Sequence, residues 1–223
     1  LKMSKPVMGY NDKTIVHSDD FAKGKLDLQW QWNHNPVDEA WSLTERKGYL
    51  RLKTSRIAQN LFMAPNTLTT RMEGPTCEAV VKMDVSQMKD GDVAGFAAFQ
   101  GDAALLSVVR EGKKWFVLGS KDNSVMSDEQ KMVTDVKHEE VYRQALKSKT
   151  IYLKISCDFR DHKDLATLSY SLDGKNWTEA IRDFRMNFDY RRLFMGTRFA
   201  IYNYATKSAG GYVDIDCFGY SKK

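Results

Sequence analysis

Apolar and polar residues alternate with period two in short runs along most of this chain, and turn-forming residues separate the runs. This is the pattern of half-solvated antiparallel strands. Leu50 and Leu52 alternate with Tyr49 and Arg51. Cys77, Ala79, Val81 and Met83 point one way, with Glu78, Val80, Lys82 and Asp84 opposite. Ile151, Leu153, Ile155 and Cys157 form the clearest inward set, against Tyr152, Lys154, Ser156 and Asp158. Such strands pack one face on a core and leave the other solvated. Residues 95–100, 105–109 and 114–118 predict a meander, because Gly101-Asp102 and Glu111-Gly112-Lys113 supply the turns between them. Between residues 127 and 149 the pattern weakens into charged residues, leaving room for a short helix or an excursion around Glu139-Glu140-Val141-Tyr142. Residues 1–17 lack a clear period and read as a linker or N-terminal extension with at most one strand. Residues 18–223 read as one all-β, antiparallel sandwich domain.

Length and composition agree with that reading. The 223 residues suffice for one large all-β domain. A hydrophobic content of 42% beside 28% charged residues excludes a disordered chain. No stretch of 18 apolar residues exists, so no spanning helix and no membrane partner are expected. The net charge of +5 comes from 34 basic and 29 acidic residues scattered without a basic block, which argues against nucleic acid as a partner. Cys77, Cys157 and Cys217 cannot form a fully paired framework and show no CxxC spacing, so each reads as a small buried hydrophobe. The chain begins at Leu1 without a signal-type segment, which leaves an exported mature fragment and a cytoplasmic protein both open.

Candidate chemistry concentrates in Trp30-Gln31-Trp32-Asn33-His34-Asn35-Pro36, followed by Trp41-Ser42-Leu43-Thr44-Glu45-Arg46. Flat apolar rings cover the C–H faces of a pyranose while amide, imidazole and guanidinium groups answer its hydroxyls, the mixture a sugar site needs. Packing in the core accounts for the same tryptophans equally well. Trp30, Trp32, His34, Asn35, Arg46 and Gln100 are the candidate carbohydrate contacts. Tyr202 and Tyr204 present two rings on one strand face, as a second platform or a packing pair. His17, His138 and His162 are too dispersed for a metal cluster, and no nucleophile signature accompanies His34. Ser171-Leu172-Asp173-Gly174-Lys175-Asn176-Trp177 resembles the Asp-box turn of sialidases, one residue short and present once, and reads more simply as a hairpin turn.

Together with Asn66-Thr67-Leu68-Thr69, Gly91-Asp92-Val93-Ala94-Gly95-Phe96-Ala97-Ala98-Phe99-Gln100 and Phe199-Ala200-Ile201-Tyr202-Asn203-Tyr204-Ala205-Thr206-Lys207, the tryptophan segments resemble the C-terminal lectin-like domain of family 43 β-xylosidases and related arabinofuranosidases. The resemblance runs in order from about Ser18 to Tyr220. It implies a concanavalin A-like, jelly-roll type β-sandwich, classed among xylan-binding modules, that follows a five-bladed catalytic β-propeller.

The expected partners are therefore xylan or xylo-oligosaccharide and that propeller, either by binding the glycan or by docking the propeller without binding sugar. The family's catalytic carboxylates reside in the propeller, so no hydrolysis is expected of the isolated chain. Related β-xylosidases bring an aromatic residue of this sandwich to the active-site rim, and Phe194 lies in a broadly corresponding region, core packing being the other reading and the one preferred from the sequence. Arg191-Arg192 reads as solvated surface, with acidic xylan substituents as the alternative. No cofactor is required on this reading. A structural calcium is the one metal considered, with Asp20 near the first strand and Asp216 near the last as ligands, decoration of an exposed strand face being the other reading.

Overall fold

The computed structural model describes residues 14–222. Among them the strands are β1 (Gln31–Trp32), β2 (Trp41–Ser42), β3 (Leu50–Lys53), β4 (Leu68–Arg71), β5 (Thr76–Asp84), β6 (Asp92–Phe99), β7 (Asp102–Glu111), β8 (Lys114–Met126), β9 (Val133–Leu146), β10 (Thr150–Asp158), β11 (Leu165–Ser171), β12 (Thr178–Arg185), β13 (Arg198–Ala205) and β14 (Tyr212–Lys222). They form two seven-stranded sheets. The first runs β12-β11-β10-β5-β14-β3-β2 and the second β1-β4-β13-β6-β7-β8-β9, and every pairing within them is antiparallel. The all-β sandwich read from the alternation is the fold observed.

The alternating runs do what their pattern dictates. Along β5 and β10 every second residue is buried, and the two inward sets face the second sheet across the sandwich. At the centre an aromatic cluster joins the layers. Phe218 lies 5.0 Å from Trp30, 6.3 Å from Phe96 and 6.2 Å from Phe199, and none of the four rings is more than 8% exposed. Trp30 is tied there by its indole N–H, which donates to Asp19 at 2.8 Å, while the backbone of Asp19 pairs with Phe218 in both directions. The segment before β1 thus bridges onto the last strand. Of the expected linker, residues 1–13 lie outside the described residues, while Val16 is buried in the core.

Two expectations change. The charged stretch around Glu139 to Tyr142 is neither helix nor excursion but the middle of β9, the edge strand of the second sheet. An edge strand has little to bury, so its sequence carries almost no alternation. A register shift opposite Gly119 and Ser120 leaves Val141 as an extra residue on the β9 side. Cys217 is half-exposed beside a shift in β14, whereas Cys77 and Cys157 are buried as expected. The Asp173-Gly174 motif is the hairpin turn: Asp173 accepts bonds from the backbone N–H of Lys175 and Asn176, both at 2.8 Å, and Gly174 has φ +73°. These bonds hold the Asp173 carboxyl well below the usual carboxylate range.

Because Phe218 contacts both layers, truncating it leaves a cavity that neither sheet can fill alone. Phe218→Ala is expected to lower the unfolding free energy by about 3–5 kcal/mol in urea denaturation. Leu28→Ala, at a fully exposed side chain, is expected to change it by less than about 0.5 kcal/mol.

Candidate functional site

β6, β7 and β13 carry small and apolar residues on both faces, and both faces are buried. The inner face joins the sandwich core. The outer face of the second sheet holds a separate apolar cluster that includes Ala97, Phe99, Leu105, Ala200, Tyr202 and Tyr204. Two loops cover it. Ala58, Leu61 and Ala64 descend from the loop between β3 and β4, and Leu193 and Met195 from the loop between β12 and β13. Gly95 is required beneath this cover, because a Cβ there would stand 2.6 Å from the Tyr202 hydroxyl. That hydroxyl is fully buried and shares a 2.7 Å hydrogen bond with Ser107.

A buried carboxamide ties the second loop to the end of β6. Gln100 follows β6 and is 1% exposed. Its Nε2 lies 2.9 Å from the carbonyl of Leu193 and 3.3 Å from those of Asp189 and Met195. Its Oε1 accepts the N–H of Gly101. The amide thus adds a donor to the Asp189 and Leu193 carbonyls, which also accept from the N–H groups of Arg192 and Met195, and reaches the Met195 carbonyl as well. Arg192 pairs with Asp102, and Arg191 grips Asp189 through Nε and Nη2, both at 2.9 Å. The paired Arg191 holds the Asp189 carboxyl below its ordinary range. Both arginines serve the loop's own geometry. Phe194 projects from the loop and is 86% exposed, with Phe188 and Tyr190 also exposed on the same segment.

The first loop is fixed by a different group. His34 Nε2 lies 2.8 Å from the carbonyl of Phe62, the Asn60 side chain accepts the N–H of Met63 at 3.1 Å, and Phe62 packs on Phe99. Ile57 and Met63 remain exposed. Beside this loop a cleft of about 390 Å³ opens on the outer face, lined by Asn60, Ser107, Ser120, Asp122, His138 and Tyr204 among others. Asp122 is buried and hydrogen-bonds His138 Nδ1 at 2.7 Å, which raises the His138 pKa above its ordinary value. Burial in the cleft wall, with Asp122 close by, pushes the Tyr204 hydroxyl far up as well.

The expected sugar contacts are thus divided by the fold. Trp30 is a core residue, and Trp32 is partly buried, packed on the core and on Trp41 at 5.3 Å. Arg46 lies with the other sheet, bonded to Asp84 at 2.8 Å and Asp214 at 3.0 Å and stacked 3.7 Å over Tyr49. His34, Gln100, Tyr202 and Tyr204 all belong to the loop-bearing face, where Gln100 and Tyr202 are buried supports. Asn35 is exposed in the loop beside His34. Asp20 bonds the N–H of Ala22 and Asp216 bonds Lys82, so the two carboxylates are used separately. Among the described residues no three His, Cys, Asp or Glu side chains converge, and this pair does not supply the several oxygens that calcium takes. Sequence reasoning missed Asp122, Asn60 and the clamp role of Gln100. The one available signal was a polar residue closing a doubly apolar strand.

The model of the β-xylosidase C-terminal concanavalin A-like domain matches residues 18–221. The chain belongs to this family. It is 32% identical to a β-xylosidase of Formosa agariphila over 97% of its own length and 37% of that protein, and 29% identical to a putative β-xylosidase of Xylanibacter ruminicola over 83% and 31%. Among solved structures it resembles a bifunctional GH43-CE protein of Bacteroides eggerthii, with 41% identity, a TM-score of 0.84, and coverage of 94% of this chain and 26% of the other. It also resembles an engineered GH43 glycoside hydrolase with endo-xylanase and exo-arabinofuranosidase activity, with 28% identity, a TM-score of 0.85, and coverage of 97% and 43%. The chain therefore spans between about a quarter and under half of these proteins, as an accessory C-terminal domain within them.

Gln100→Ala strips the donor from the clamped carbonyls and is expected to open the β12–β13 loop. A loss of about 1.4 kcal/mol in local stability corresponds to about tenfold faster cleavage between residues 187 and 196 in limited proteolysis. An unchanged cleavage rate would show that the loop is held by other contacts.

The His138 pair has a defined pH dependence. Its pKa is raised on folding, so its stabilisation is complete below about pH 6.5, the unfolded value, and is lost as pH rises through the folded value. His138→Ala is expected to shrink the stability difference between pH 6 and pH 8 in urea titrations. Parallel pH curves for variant and wild type would contradict the assignment.

Proposed function

We propose that this domain serves as the accessory sandwich of a family 43 glycosidase acting on xylan or xylo-oligosaccharides, docking the loop-bearing face of its second sheet on the catalytic β-propeller. The observation that carries this reading is Phe194, a bare aromatic ring at the tip of a loop whose base is clamped. A ring so placed lies flat against the C–H face of a pyranose at the rim of the sugar site and keeps water out. Rigidity matters because the ordering cost of the loop is met before substrate arrives. Phe188 and Tyr190 on the same segment, and Ile57 and Met63 on the other loop, are exposed as well, side chains of the kind protein contacts favour. The carboxylates that cleave the glycosidic bond belong, on this reading, to the propeller.

The cleft beside Tyr204 supports a second reading, in which the domain itself holds a xylo-oligosaccharide. Its volume of about 390 Å³ falls in the range of small-ligand sites, and Asn60, Ser120, Asp122 and His138 bring both donors and acceptors to a wall that also carries an aromatic ring.

Two measurements separate the readings. In the intact glycosidase, Phe194→Ala is expected to lower kcat/KM on xylobiose about tenfold, the scale of losing an apolar contact at a specificity pocket, with no change in the thermal midpoint of the isolated domain. An unchanged kcat/KM would refute the rim role. Calorimetric titration of the isolated chain with xylohexaose is expected to show no saturable binding at millimolar ligand. Saturable binding that Asp122→Ala abolishes would assign the sugar to the cleft instead.

A further inference from the structure

The cleft beside Tyr204 holds two hydroxyls that the fold leaves unused. Tyr204 on β13 is 7% exposed and Ser120 on β8 is 1% exposed, and both line the cleft. Neither hydroxyl has a hydrogen-bond partner among the described residues. Buried polar groups are normally paired, so two open hydroxyls in one wall point to a ligand. Asp122 adds charge beside them. Its Oδ1 lies 2.7 Å from His138 Nδ1, and its Oδ2 has no partner among the described residues. Asp135 also lines the cleft, whereas no Lys or Arg among the described residues does. The strand register orders these groups. Leu118, Ser120 and Asp122 fall on one face of β8, with Ser107 opposite Leu118, Leu105 opposite Ser120 and His138 opposite Asp122. Val109, paired with Val93, lies two residues beyond Ser107. The cleft therefore runs from an apolar end at Val93 and Val109 to an acidic end at Asp122.

We propose that this cleft is a socket for an arginine side chain presented by the catalytic domain. The inference rests on the docking reading of the loop-bearing face and adds to it the chemistry of one contact. Charge complementarity selects the occupant: the acidic end offers a carboxylate oxygen and hydroxyl lone pairs, and the cleft supplies no cation of its own. A guanidinium has several N–H donors in a planar fork, which can meet Asp122 Oδ2 together with the Ser120 and Tyr204 hydroxyls. Burial near Asp122 keeps the Tyr204 hydroxyl neutral, so it meets the cation as a phenol. The aliphatic stem of the arginine lies along the apolar end, as long charged side chains do on apolar surface.

Two experiments test the socket. In the first, N-acetyl-arginine amide is titrated into this chain and followed by the side-chain NMR signals of His138 and Tyr204, with N-acetyl-citrulline amide as the neutral isostere. The arginine probe is expected to shift both signals saturably, and binding is expected to be about tenfold weaker with citrulline or in Asp122→Asn. No shift, an equal response to both probes, or saturation of these signals by xylohexaose and not by the arginine probe would each overturn the proposal. The citrulline comparison uses the wild-type chain and so holds whether or not Asp122→Asn folds. In the second, hydroxyl-radical footprinting compares the intact glycosidase with the isolated chain. His138 and Phe194 are expected to be protected in the intact enzyme, while the exposed His162 reacts equally in both. Protection of Phe194 with His138 still reactive would overturn the socket and leave the docking reading standing. Full reactivity of both would remove the docking reading and the socket with it.

Discussion

The loop-bearing face depends on a buried carboxamide. Gln100 reaches the carbonyls of Asp189, Leu193 and Met195, and through them sets the loop that carries Phe194. A buried amide left without partners is costly, and the three carbonyls that meet this one all lie on one turn. Each therefore fixes the other. The position of Gln100 is in turn set by β6, which can run close to its neighbours because residues 94–98 are small apart from Phe96. The sandwich core holds the strand, the strand holds the amide, and the amide holds the loop.

The outer faces of the two sheets differ, one carrying ion pairs and the other an apolar layer under loops. The outer face of the first sheet is filled with mutually satisfied ion pairs, Asp214 with Arg46 and Arg51 chief among them, and with arginines stacked over Tyr49 and Tyr212. Little on that face is left to recognise a partner. The second sheet instead buries a second apolar layer beneath two loops, and those loops leave aromatic side chains bare.

Much of the fold was legible because β3, β5 and β10 bury one face only and so print a period of two. The meander through β6, β7 and β8 was legible from its turns rather than its alternation, since both faces of β6 and β7 are covered and the apolar runs are continuous. β9 was illegible for the opposite reason, having almost nothing to bury. The site was read less well. Side-chain chemistry alone left Trp30 and Trp32 open between sugar contact and core packing, because which face a tryptophan takes depends on partners such as Asp19 and Phe218, the latter far along the chain. Gln100, Tyr202 and Tyr204 were singled out and do share one face, although two of them support it from below.

The account rests on the loop-bearing face meeting the catalytic domain. A structure of the intact glycosidase with a bound xylo-oligosaccharide tests this most directly. The account predicts the Phe194 ring within about 4 Å of the sugar, with the Gln100 clamp intact and the outer face of the first sheet in solvent. A structure with Phe194 in solvent and the sandwich docked through the first sheet would contradict it.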